Sequence, residues 1–534
     1  MTASSATPRP RSHESRRGIV LLFIGLVLAM LLASLSQTVL SAAMPTMVGE
    51  LGGVDQMLWV MTAYILASTI MMPIYGKISD LIGRKGPMIF AIVTFMTGSV
   101  IGALAPDMTV LIAARIVQGL GGGGLIILSQ ATIADVVPAR ERGKYMGIIG
   151  AVFAVSSVAG PLIGGWLTEE VSWRWTFWMN IPLGLIALTA AITLLHLPKG
   201  TNSRPKVDVL GMMTLAAATA CLILVASWGG NDYEWTSPVI LSLIAATVVF
   251  AVLFVFAERR AAEPIMPLSL FRHRNFNLAT SAGLLIGVAM FGAIGYLPTY
   301  LQMAFGEDAT TAGILMVPMM GMMLVTSLVS GWLVSKYGRY KWMPIVGAAL
   351  VALGLVFLGT MTPETPLWRF CIDVGLLGMG LGVNMQILVL IVQNTFPNRV
   401  VGTATAANNF FRQIGASLGS AVIGSLFAVR LVGIIGERLP SGEGTAQLGD
   451  IASLTPDSVR ELSAPVREVV VHGYNDALTP LLLGMAPLAV VAVVLLCFIK
   501  EVPLKTTVER DIVPDALGEG HLIEHDDKPA HDAR

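Results

Sequence analysis

The sequence predicts an all-α integral membrane protein with about fourteen transmembrane spans, arranged as two six-helix pseudo-repeat bundles plus two extra central helices. Three observations support this fold class. The 534 residues are 54% hydrophobic and only 13% charged, which is about half the charge content of an average soluble domain. Apolar runs of roughly 20 residues, each long enough for a helix to cross a hydrocarbon layer of ~30 Å, alternate with short charged breaks. Two segments also recur at one fixed offset along the chain.

The apolar runs give the predicted spans in chain order. The run after the basic N-terminus is too long for the apolar core of a signal peptide, so we retain it as the first span. The predicted spans are 19–43, 57–79, 87–105, 109–133, 145–167, 175–197, 209–228, 237–257, 276–302, 311–334, 343–361, 368–392, 401–428 and 477–499.

Lysine and arginine predict the orientation of the spans. Most of the 34 basic residues fall in alternate loops, in clusters such as Arg84/Lys85 and Arg140/Arg142/Lys144. Because an excess of basic residues marks cytoplasmic loops, both termini are predicted to be cytoplasmic and the number of spans to be even. The few basic residues predicted on the outer side are Arg174, Arg430, Arg438, Arg460 and Arg467.

An internal repeat relates the two ends of the chain. Gly76–Met88 after span 2 and Gly331–Met343 after span 10 share Gly, Gly, Arg and Met at the same spacing, 255 residues apart. The same offset maps Gly160–Gly165 in span 5 onto Gly415–Ser420 in span 13. Since span 2 corresponds to span 10 rather than span 8, two extra spans must lie between two six-helix halves.

The spans divide the chain into predicted segments. They are a cytoplasmic N-terminal tail (1–18), an N-terminal six-helix bundle (19–197), two extra linker helices (209–257), a C-terminal six-helix bundle (276–499) with an external loop (430–475), and a disordered cytoplasmic tail (500–534).

Composition and motifs disfavour several other classes of protein. Acidic and basic residues balance at 34 each, so no basic surface indicates binding of nucleic acid. Gly121–Gly124 lacks the Lys-Ser/Thr pair of a phosphate-binding loop, and no His/Asp/Glu cluster in the spans has catalytic spacing. The three cysteines lie in apolar runs and are interpreted as buried hydrophobic residues. We therefore expect no enzyme activity, no cofactor and no metal site.

Two arginines lie inside predicted spans, where charge is costly. Arg115 is in span 4 and Arg412 is near the middle of span 13. An arginine at the membrane centre costs at least ~2.5–3.5 kcal/mol on insertion scales. Each is therefore expected to face a cavity, a partner or the transport pathway; the alternative is a structural hydrogen bond to backbone carbonyl groups.

Two motifs are candidates for conformational switching. After span 2, Asp80 can accept hydrogen bonds or face a helix N-terminus, and Gly83 allows a tight turn; the alternative is a turn whose charges only set topology. In span 5, Gly160-Pro161 removes a backbone donor and bends the helix, and Gly164 lets a neighbouring helix approach closely. The alternative there is ordinary small-residue packing.

These motifs together resemble those of the major facilitator superfamily, specifically its fourteen-span drug:proton antiporter branch. The resemblance covers most of the chain. Gly76–Lys85 is similar to the loop motif between spans 2 and 3, and Arg115–Gly119 is similar to the RxxqG signature of span 4. Ser157–Gly165 is similar to the antiporter GPxxGG signature of span 5, and Ser172–Pro182 resembles a further segment common in this branch.

The resemblance implies a monomeric secondary transporter in the lipid bilayer of a bacterial cytoplasmic membrane. It implies that the protein exports small amphiphilic substrates, drug-like or antibiotic-like, in exchange for protons. It also implies that Arg115, with Gln118 as its neighbour, takes part in proton transfer. In the loop motif that begins at Gly76, Asp80 with Arg84 and Lys85 would form a latch that holds the outward-facing state.

The chain departs from the family pattern in span 1. The branch usually has an aspartate there, but the matching position holds Ser36, which cannot carry a proton near neutral pH. Asp373 in span 12 is the best remaining acid, although an ion pair with Arg369 one turn away is an equally good account of it. A second departure is Ser156 in span 5, where a further glycine is usual.

Export of drug-like compounds coupled to inward proton flow is the leading interpretation. The alternative is an exporter or translocator of an endogenous lipid or secreted metabolite, whereas Gly160-Pro161 and the two extra spans disfavour a proton-coupled importer. Because Arg115 and Arg412 have no obvious carboxylate at mid-membrane, we expect the cavity to favour neutral, zwitterionic or anionic amphiphiles over lipophilic cations.

Overall fold

The computed structural model describes residues 13–53, 56–195, 206–230, 232–438, 459 and 462–504. Over these residues the chain forms helices and no β-sheet. This is the outcome that the apolar runs predict, because a helix satisfies its own backbone hydrogen bonds within a bilayer. Most of the predicted N-terminal tail and nearly all of the predicted C-terminal tail lie outside the described residues.

The first half contains the helices of predicted spans 1 to 6. They are α1 (His13–Leu51), α2 (Met57–Ile82), α3 (Lys85–Ala103), α4 (Met108–Val136), α5 (Ala139–Glu170), α6 (Trp175–Trp178) and α7 (Asn180–Leu194). The short α6 and the longer α7 together form the sixth span. α4 begins where the Asp107 side chain accepts a hydrogen bond from the Val110 N–H (2.9 Å), a usual N-cap arrangement.

Two further helices follow, at the positions predicted for the extra pair. α8 (Val209–Trp228) is capped by Asp208, and α9 (Pro238–Arg260) is capped by Ser237. α9 packs against α8, yet only 6% of its most apolar stretch is buried. Nearly all of α9 therefore faces the surroundings of the protein, as a helix in contact with lipid does.

The second half contains the helices of predicted spans 9 to 14. They are α10 (Arg274–Ile294), α11 (Leu297–Ala304), α12 (Ala309–Leu315), α13 (Val317–Tyr337), α14 (Trp342–Leu358), α15 (Leu367–Thr395), α16 (Asn398–Arg438) and α17 (Ala464–Cys497). The largest apolar core of the described residues lies mainly in this half, and two smaller cores lie in the first half.

Thirteen helical segments of the described chain are long and apolar enough to cross a membrane. The one predicted span that is not among these thirteen is the eleventh, 343–361, which coincides with α14, an apolar helix of 17 residues. At 1.5 Å per residue its length is ~26 Å, slightly less than a hydrocarbon layer of ~30 Å. The exact count of fourteen spans thus stays a prediction, because α14 is at the lower limit of length.

Helices extend past two of the predicted segment boundaries. α16 continues to Arg438 and α17 begins at Ala464, so both helices run into the predicted external loop 430–475. Arg438 forms an ion pair with Asp476 of α17 (2.6 Å). α1 begins at His13, inside the predicted tail 1–18, while its stretch that is apolar enough to cross a membrane begins at Val20. Because a helix can continue beyond the membrane, the segment boundaries stay predictions.

The internal repeat corresponds to equivalent contacts in the two halves. Gly164 of α5 packs on the main chain of Val39 in α1, and Gly419 of α16 packs on the main chain of Val288 in α10. In both places an added Cβ would overlap a carbonyl oxygen. The offset of 255 residues in the sequence therefore relates two helix crossings of the same kind.

These crossings predict a contrast between two neighbouring glycines of α5. We expect Gly164→Ala to destabilise the protein by about 1–3 kcal/mol, because its Cβ would collide with the Val39 carbonyl. Gly165 has no atom within 4 Å of its Cβ position, so Gly165→Ala should be neutral or stabilising through helix propensity. Thermal unfolding in detergent measures both, and an equal loss of Tm in the two variants would contradict the packing argument.

Candidate transport site and its closure

The loops that carry Arg84, Arg140 and Arg339 lie at one end of the helices, which we call the basic end. Here Asp80, near the end of α2, reaches the beginning of α16 in the other half. Its Oδ1 accepts the Gly402 N–H (3.1 Å), and its Oδ2 accepts both the N–H (2.7 Å) and the hydroxyl of Thr403 (2.6 Å). Negative charge is favourable near a helix N-terminus, so this contact joins the halves.

Arg84 neutralises the Asp80 carboxylate and links it to a second acid. Arg84 Nη1 lies 2.6 Å from Asp80 Oδ1, and Arg84 Nε lies 2.8 Å from Asp135 Oδ2 at the end of α4. Burial acts to lower the pKa of the Arg84 guanidinium, but the two carboxylates outweigh burial and the pKa is raised. Gly83 between them has φ +91°, a conformation that glycine adopts without strain.

Two glycines make this approach possible. Gly76 of α2 lies against Ala406 and the main chain of Gly402 in α16. A Cβ on Gly402 would lie 2.5 Å from Asp80 Oδ1, so a larger residue would displace the carboxylate. Gly402 and Thr403 were not identified from the sequence, since neither lies in a motif that the chain shares with its repeat.

A second contact between the halves joins α5 to α13 at the basic end. A Cβ on Gly143 would lie 2.8 Å from the carbonyl oxygen of Gly331, so the two backbones touch. Further along, the Ser327 hydroxyl donates to the carbonyl oxygen of Gly147 (3.0 Å). The contacts of α16 with α2 and α4 and of α5 with α13 are together called the seam, and they close the basic end on both sides.

The span 5 motif acts within the first half. Gly160 packs against Thr38 of α1, and the Thr38 hydroxyl donates to the carbonyl oxygen of Ser156 (2.8 Å). Pro161 is exposed. Ser156, the departure from the family pattern, donates its hydroxyl to the Val152 carbonyl of its own helix (2.8 Å).

Arg115 is fully buried within the first half, at 0% exposure. Its Nη1 donates to Gln118 Oε1 (2.7 Å) and to the Ser36 hydroxyl (3.3 Å), and its Nε donates to the Val60 carbonyl (3.2 Å). The guanidinium carbon lies 4.2 Å from the centre of the Tyr64 ring. Nη2 has no hydrogen-bond partner among the described residues.

The surroundings of Arg115 are polar but uncharged. Gln118 Nε2 donates to the Ser99 hydroxyl (2.7 Å), which also accepts from Asn180 Nδ2 (3.3 Å). Ser36, which stands where the branch usually has an aspartate, therefore contacts Arg115 as a neutral acceptor. Ser99, Asn180 and Tyr64 were missed by the sequence reading because single polar residues in apolar runs carry no spacing signal.

Arg412 lies in α16 and bonds within the second half. Its Nη2 donates to Asn409 Oδ1 (2.8 Å), and Asn409 Nδ2 donates across the seam to Gln130 Oε1 of α4 (2.9 Å). Arg412 is partly exposed, whereas Arg115 is sealed. In this conformation Arg115 and Arg412 therefore do not line the same surface, and they share no hydrogen-bond partner among the described residues.

Asp373 forms an ion pair with Arg369, as the alternative interpretation of Asp373 predicted. Its Oδ2 lies 3.7 Å from Arg369 Nε one turn away in α15, and its side chain is 4% exposed. Arg369 also donates to the Thr360 hydroxyl (3.1 Å), so its guanidinium is divided between two partners. The Asp373 Oδ2 atom has no hydrogen-bond partner among the described residues.

The carboxylates of the described helices lie towards the helix ends rather than at mid-span. Asp80, Asp135 and Glu258 are near the basic end, and Asp373 and Asp476 are near the opposite end. Asp476 is engaged by Arg438 (2.6 Å). The middle of the described bundle thus holds arginine charge without a facing acid.

The fold and this seam define the class of protein: a polytopic membrane transporter built from two related halves that meet at a closable interface. The chain belongs to the major facilitator superfamily. The sequence profile described as Major Facilitator Superfamily matches residues 26–420, which confirms the resemblance found in the motifs.

Known proteins agree with this assignment. An uncharacterized MFS-type transporter of Mycobacterium tuberculosis is 38% identical over 520 residues, covering 97% of this chain and 74% of the relative. Multidrug resistance protein 3 of Bacillus subtilis is 32% identical over 494 residues, covering 91% and 96%. The crystal structure of the human organic anion transporter MFSD10 shares the fold, with a TM-score of 0.60 at 15% identity, covering 91% of this chain and 100% of that one.

The Asp80 contact predicts how the seam responds to loss of one charge. We expect Asp80→Asn to open the basic end about tenfold more often, because charge-assisted hydrogen bonds contribute about 1.5–3 kcal/mol each. The measurement is the maleimide labelling rate of a Ser327→Cys probe, which lies in the seam, in a background without the native cysteines.

Asp107→Asn is the matched control for this experiment. Asp107 caps α4 locally and makes no recorded contact across the seam, so its substitution should leave the labelling rate unchanged. Equal rates in the Asp80→Asn and parent proteins would show that Asp80 does not hold the halves together.

Proposed function

We propose that this protein is a proton-coupled exporter of drug-like or antibiotic-like small molecules that works by alternating access. The observation that carries the proposal is the seam. One end of the bundle is closed by the buried Asp80 carboxylate, which accepts hydrogen bonds from backbone amides of α16, and by glycines whose backbones touch across the halves. Two apolar clusters that also cross between the halves are small: Met72, Ile127 and Ala406 form one, and Ala154, Met323 and Met385 form the other. Membership of a transporter superfamily, and a relative named as a multidrug resistance protein, support export of drug-like compounds.

The proposed orientation places the basic end in the cytoplasm, with both termini inside and the protein a monomer in the cytoplasmic membrane. The distribution of basic residues supports this orientation. On that view, the closed basic end corresponds to the outward-facing state. Gly76, Asp80, Gly83 and Arg84 form the switch at the seam. Gly160 and Gly164 form the contact of α5 with α1, and Pro161 between them provides the bend of α5.

Proton coupling is assigned to a small set of groups. Arg115 and Gln118 form one polar cluster, and Asp373 is the proposed proton carrier, because its Oδ2 is buried with only a loose ion pair. Ser36 supplies no titratable group beside Arg115. One proton that crosses 100 mV supplies ~2.3 kcal/mol, which supports roughly a fortyfold substrate gradient at 1.4 kcal/mol per tenfold.

Arg412 sets the proposed substrate class. It is the partly exposed mid-span cation near the seam, and the described carboxylates lie far from mid-span. An anionic or zwitterionic group can therefore bind a guanidinium without displacing a protein acid, whereas a lipophilic cation meets like charge. Neutral, zwitterionic and anionic amphiphiles are the proposed substrates.

Reconstitution with pH measurement tests the proposal. In proteoliposomes loaded with a pH-sensitive dye, addition of a substrate such as taurocholate (an anionic amphiphile) should produce a proton flux in the unsubstituted protein. We expect Arg412→Ala to weaken apparent affinity for taurocholate about tenfold or more, because it removes a charge-assisted interaction.

Arg430→Ala is the control, since Arg430 is an exposed arginine on the same helix that bonds to the Asp476 carbonyl (3.2 Å). The proton flux of the Arg430→Ala variant should match that of the unsubstituted protein. If no solute from a panel of anionic, zwitterionic and neutral compounds moves under any imposed pH or voltage difference, proton-coupled export is wrong. Export of an endogenous lipid or secreted metabolite would instead appear as that compound's loss from the medium of a deletion strain.

Substitution of Asp373 tests the proton carrier. We expect Asp373→Asn to abolish substrate-induced proton flux while substrate still binds, because the amide cannot take up a proton near neutral pH. Asp476→Asn, at the same end but already engaged by Arg438, should retain the flux. Ethidium efflux that survives Arg412→Ala but is lost in Asp373→Asn would contradict the proposed substrate class and indicate a cation exporter.

A further inference from the structure

A chain of side-chain amides crosses the seam below Arg412. Arg412 Nη2 donates to Asn409 Oδ1 (2.8 Å), and Asn409 Nδ2 donates to Gln130 Oε1 (2.9 Å) in the other half. Gln393 Nε2 of α15 also donates to the Gln130 carbonyl (3.3 Å) and to the Thr405 hydroxyl (3.4 Å). Gln130 is thus held by two second-half side chains.

The orientation of the Asn409 amide is determined from both sides. Its oxygen faces Arg412, which can only donate. Its nitrogen donates to the Thr405 carbonyl one turn earlier in α16 (2.9 Å) as well as to Gln130. Asn409 and Gln130 are each 1% exposed, so neither can exchange these partners for water while the seam is closed.

We propose that Asn409 is a positioning residue that couples the occupancy of Arg412 to the closure of the seam. Arg412 holds the amide so that its nitrogen faces Gln130. A ligand anion that binds Arg412 Nη2 competes with Asn409 Oδ1, and the freed amide no longer points its nitrogen across the seam. The inference rests on the proposed function only in taking Arg412 as a substrate contact.

The direction of the effect follows from thermodynamic linkage. Gln130 helps to hold the Asn409 oxygen on Arg412 only when the seam is closed, so Asn409 competes with ligand for Arg412 more strongly in the closed conformation. Ligand therefore binds the open-seam conformation more tightly and shifts the protein towards it. Conversely, closure of the seam strengthens the hold of Asn409 on Arg412 and lowers the affinity for substrate. In an exporter this favours loading at the basic end and release at the opposite end.

The test begins without any ligand. The full chain lacking its native cysteines carries Lys144→Cys and Ser335→Cys, positions where the Lys144 N–H meets the Ser335 hydroxyl across the seam (3.0 Å). The yield of a short bifunctional cross-linker reports the closed fraction. We expect Gln130→Met and Arg412→Met each to lower the closed-to-open ratio about fivefold, and the double variant to lower it no further, since both act through Asn409.

Conservative and matched variants separate positioning from packing. Gln130→Glu keeps an acceptor oxygen for Asn409 and should retain the parent yield. Asn408→Leu removes the neighbouring buried asparagine, which donates to Thr280 within its own half (3.2 Å), and should also leave the yield unchanged. Additive effects of Gln130→Met and Arg412→Met, or an equal loss in Asn408→Leu, would overturn the proposal.

Taurocholate then tests the response to ligand. It should lower the cross-linking yield of the parent protein but not that of Asn409→Leu, whereas ethidium should change neither. A response that survives in Asn409→Leu overturns the coupling role. If the Arg412 and Gln130 effects prove non-additive while taurocholate changes nothing, the positioning role is supported and the proposed substrate class is wrong.

Discussion

The contact between the Asp80 carboxylate and the beginning of α16 is the interaction on which the rest of the seam depends. It brings α2 against α16, while glycine backbones bring α5 against α13 on the other side of the same end. Burying a carboxylate is costly, and here the cost is offset by Arg84, two backbone amides and a hydroxyl. Buried pairs of this kind give little net stability, because desolvation cancels most of the attraction. A small net energy suits the proposed cycle, in which this contact forms and breaks.

The two mid-span arginines show how a membrane protein keeps charge without acids. Arg115 is surrounded by neutral acceptors and by the face of Tyr64, and Arg412 is held by Asn409. A guanidinium remains protonated in such surroundings, so neither group needs a carboxylate to stay charged. Ser36 fits this arrangement because its hydroxyl is a neutral hydrogen-bond acceptor for Arg115, and no acid of the described residues pairs with that arginine.

Much of the fold could be predicted from the sequence, because long apolar runs and basic loops reflect constraints that the bilayer imposes on every span. The Asp80 loop and the paired glycines of α5 and α16 were also identified, since they recur at one offset. The residues that contact these groups were not identified from the sequence. Thr403, Tyr64 and Gln130 lie far from their partners along the chain, and a lone polar residue in an apolar run has no periodicity to reveal it. α16 runs past the predicted end of its span to Arg438, because charges that pair between two helices look like a break when only the sequence is read.

The extra helical pair touches both halves at the end opposite the basic end. Trp228 at the end of α8 packs edge-on against Trp59 of α2, with ring centroids 5.6 Å apart, and Trp235 in the following loop donates to the Ser425 hydroxyl of α16. At the basic end, Glu263 beyond α9 pairs with Lys77 of α2 (2.7 Å). The pair therefore works as a strap along one flank of the molecule. In the proposed alternating-access cycle, a rocking of the halves that keeps the strap attached would widen more on the unstrapped α5–α13 flank, so the opening would be asymmetric.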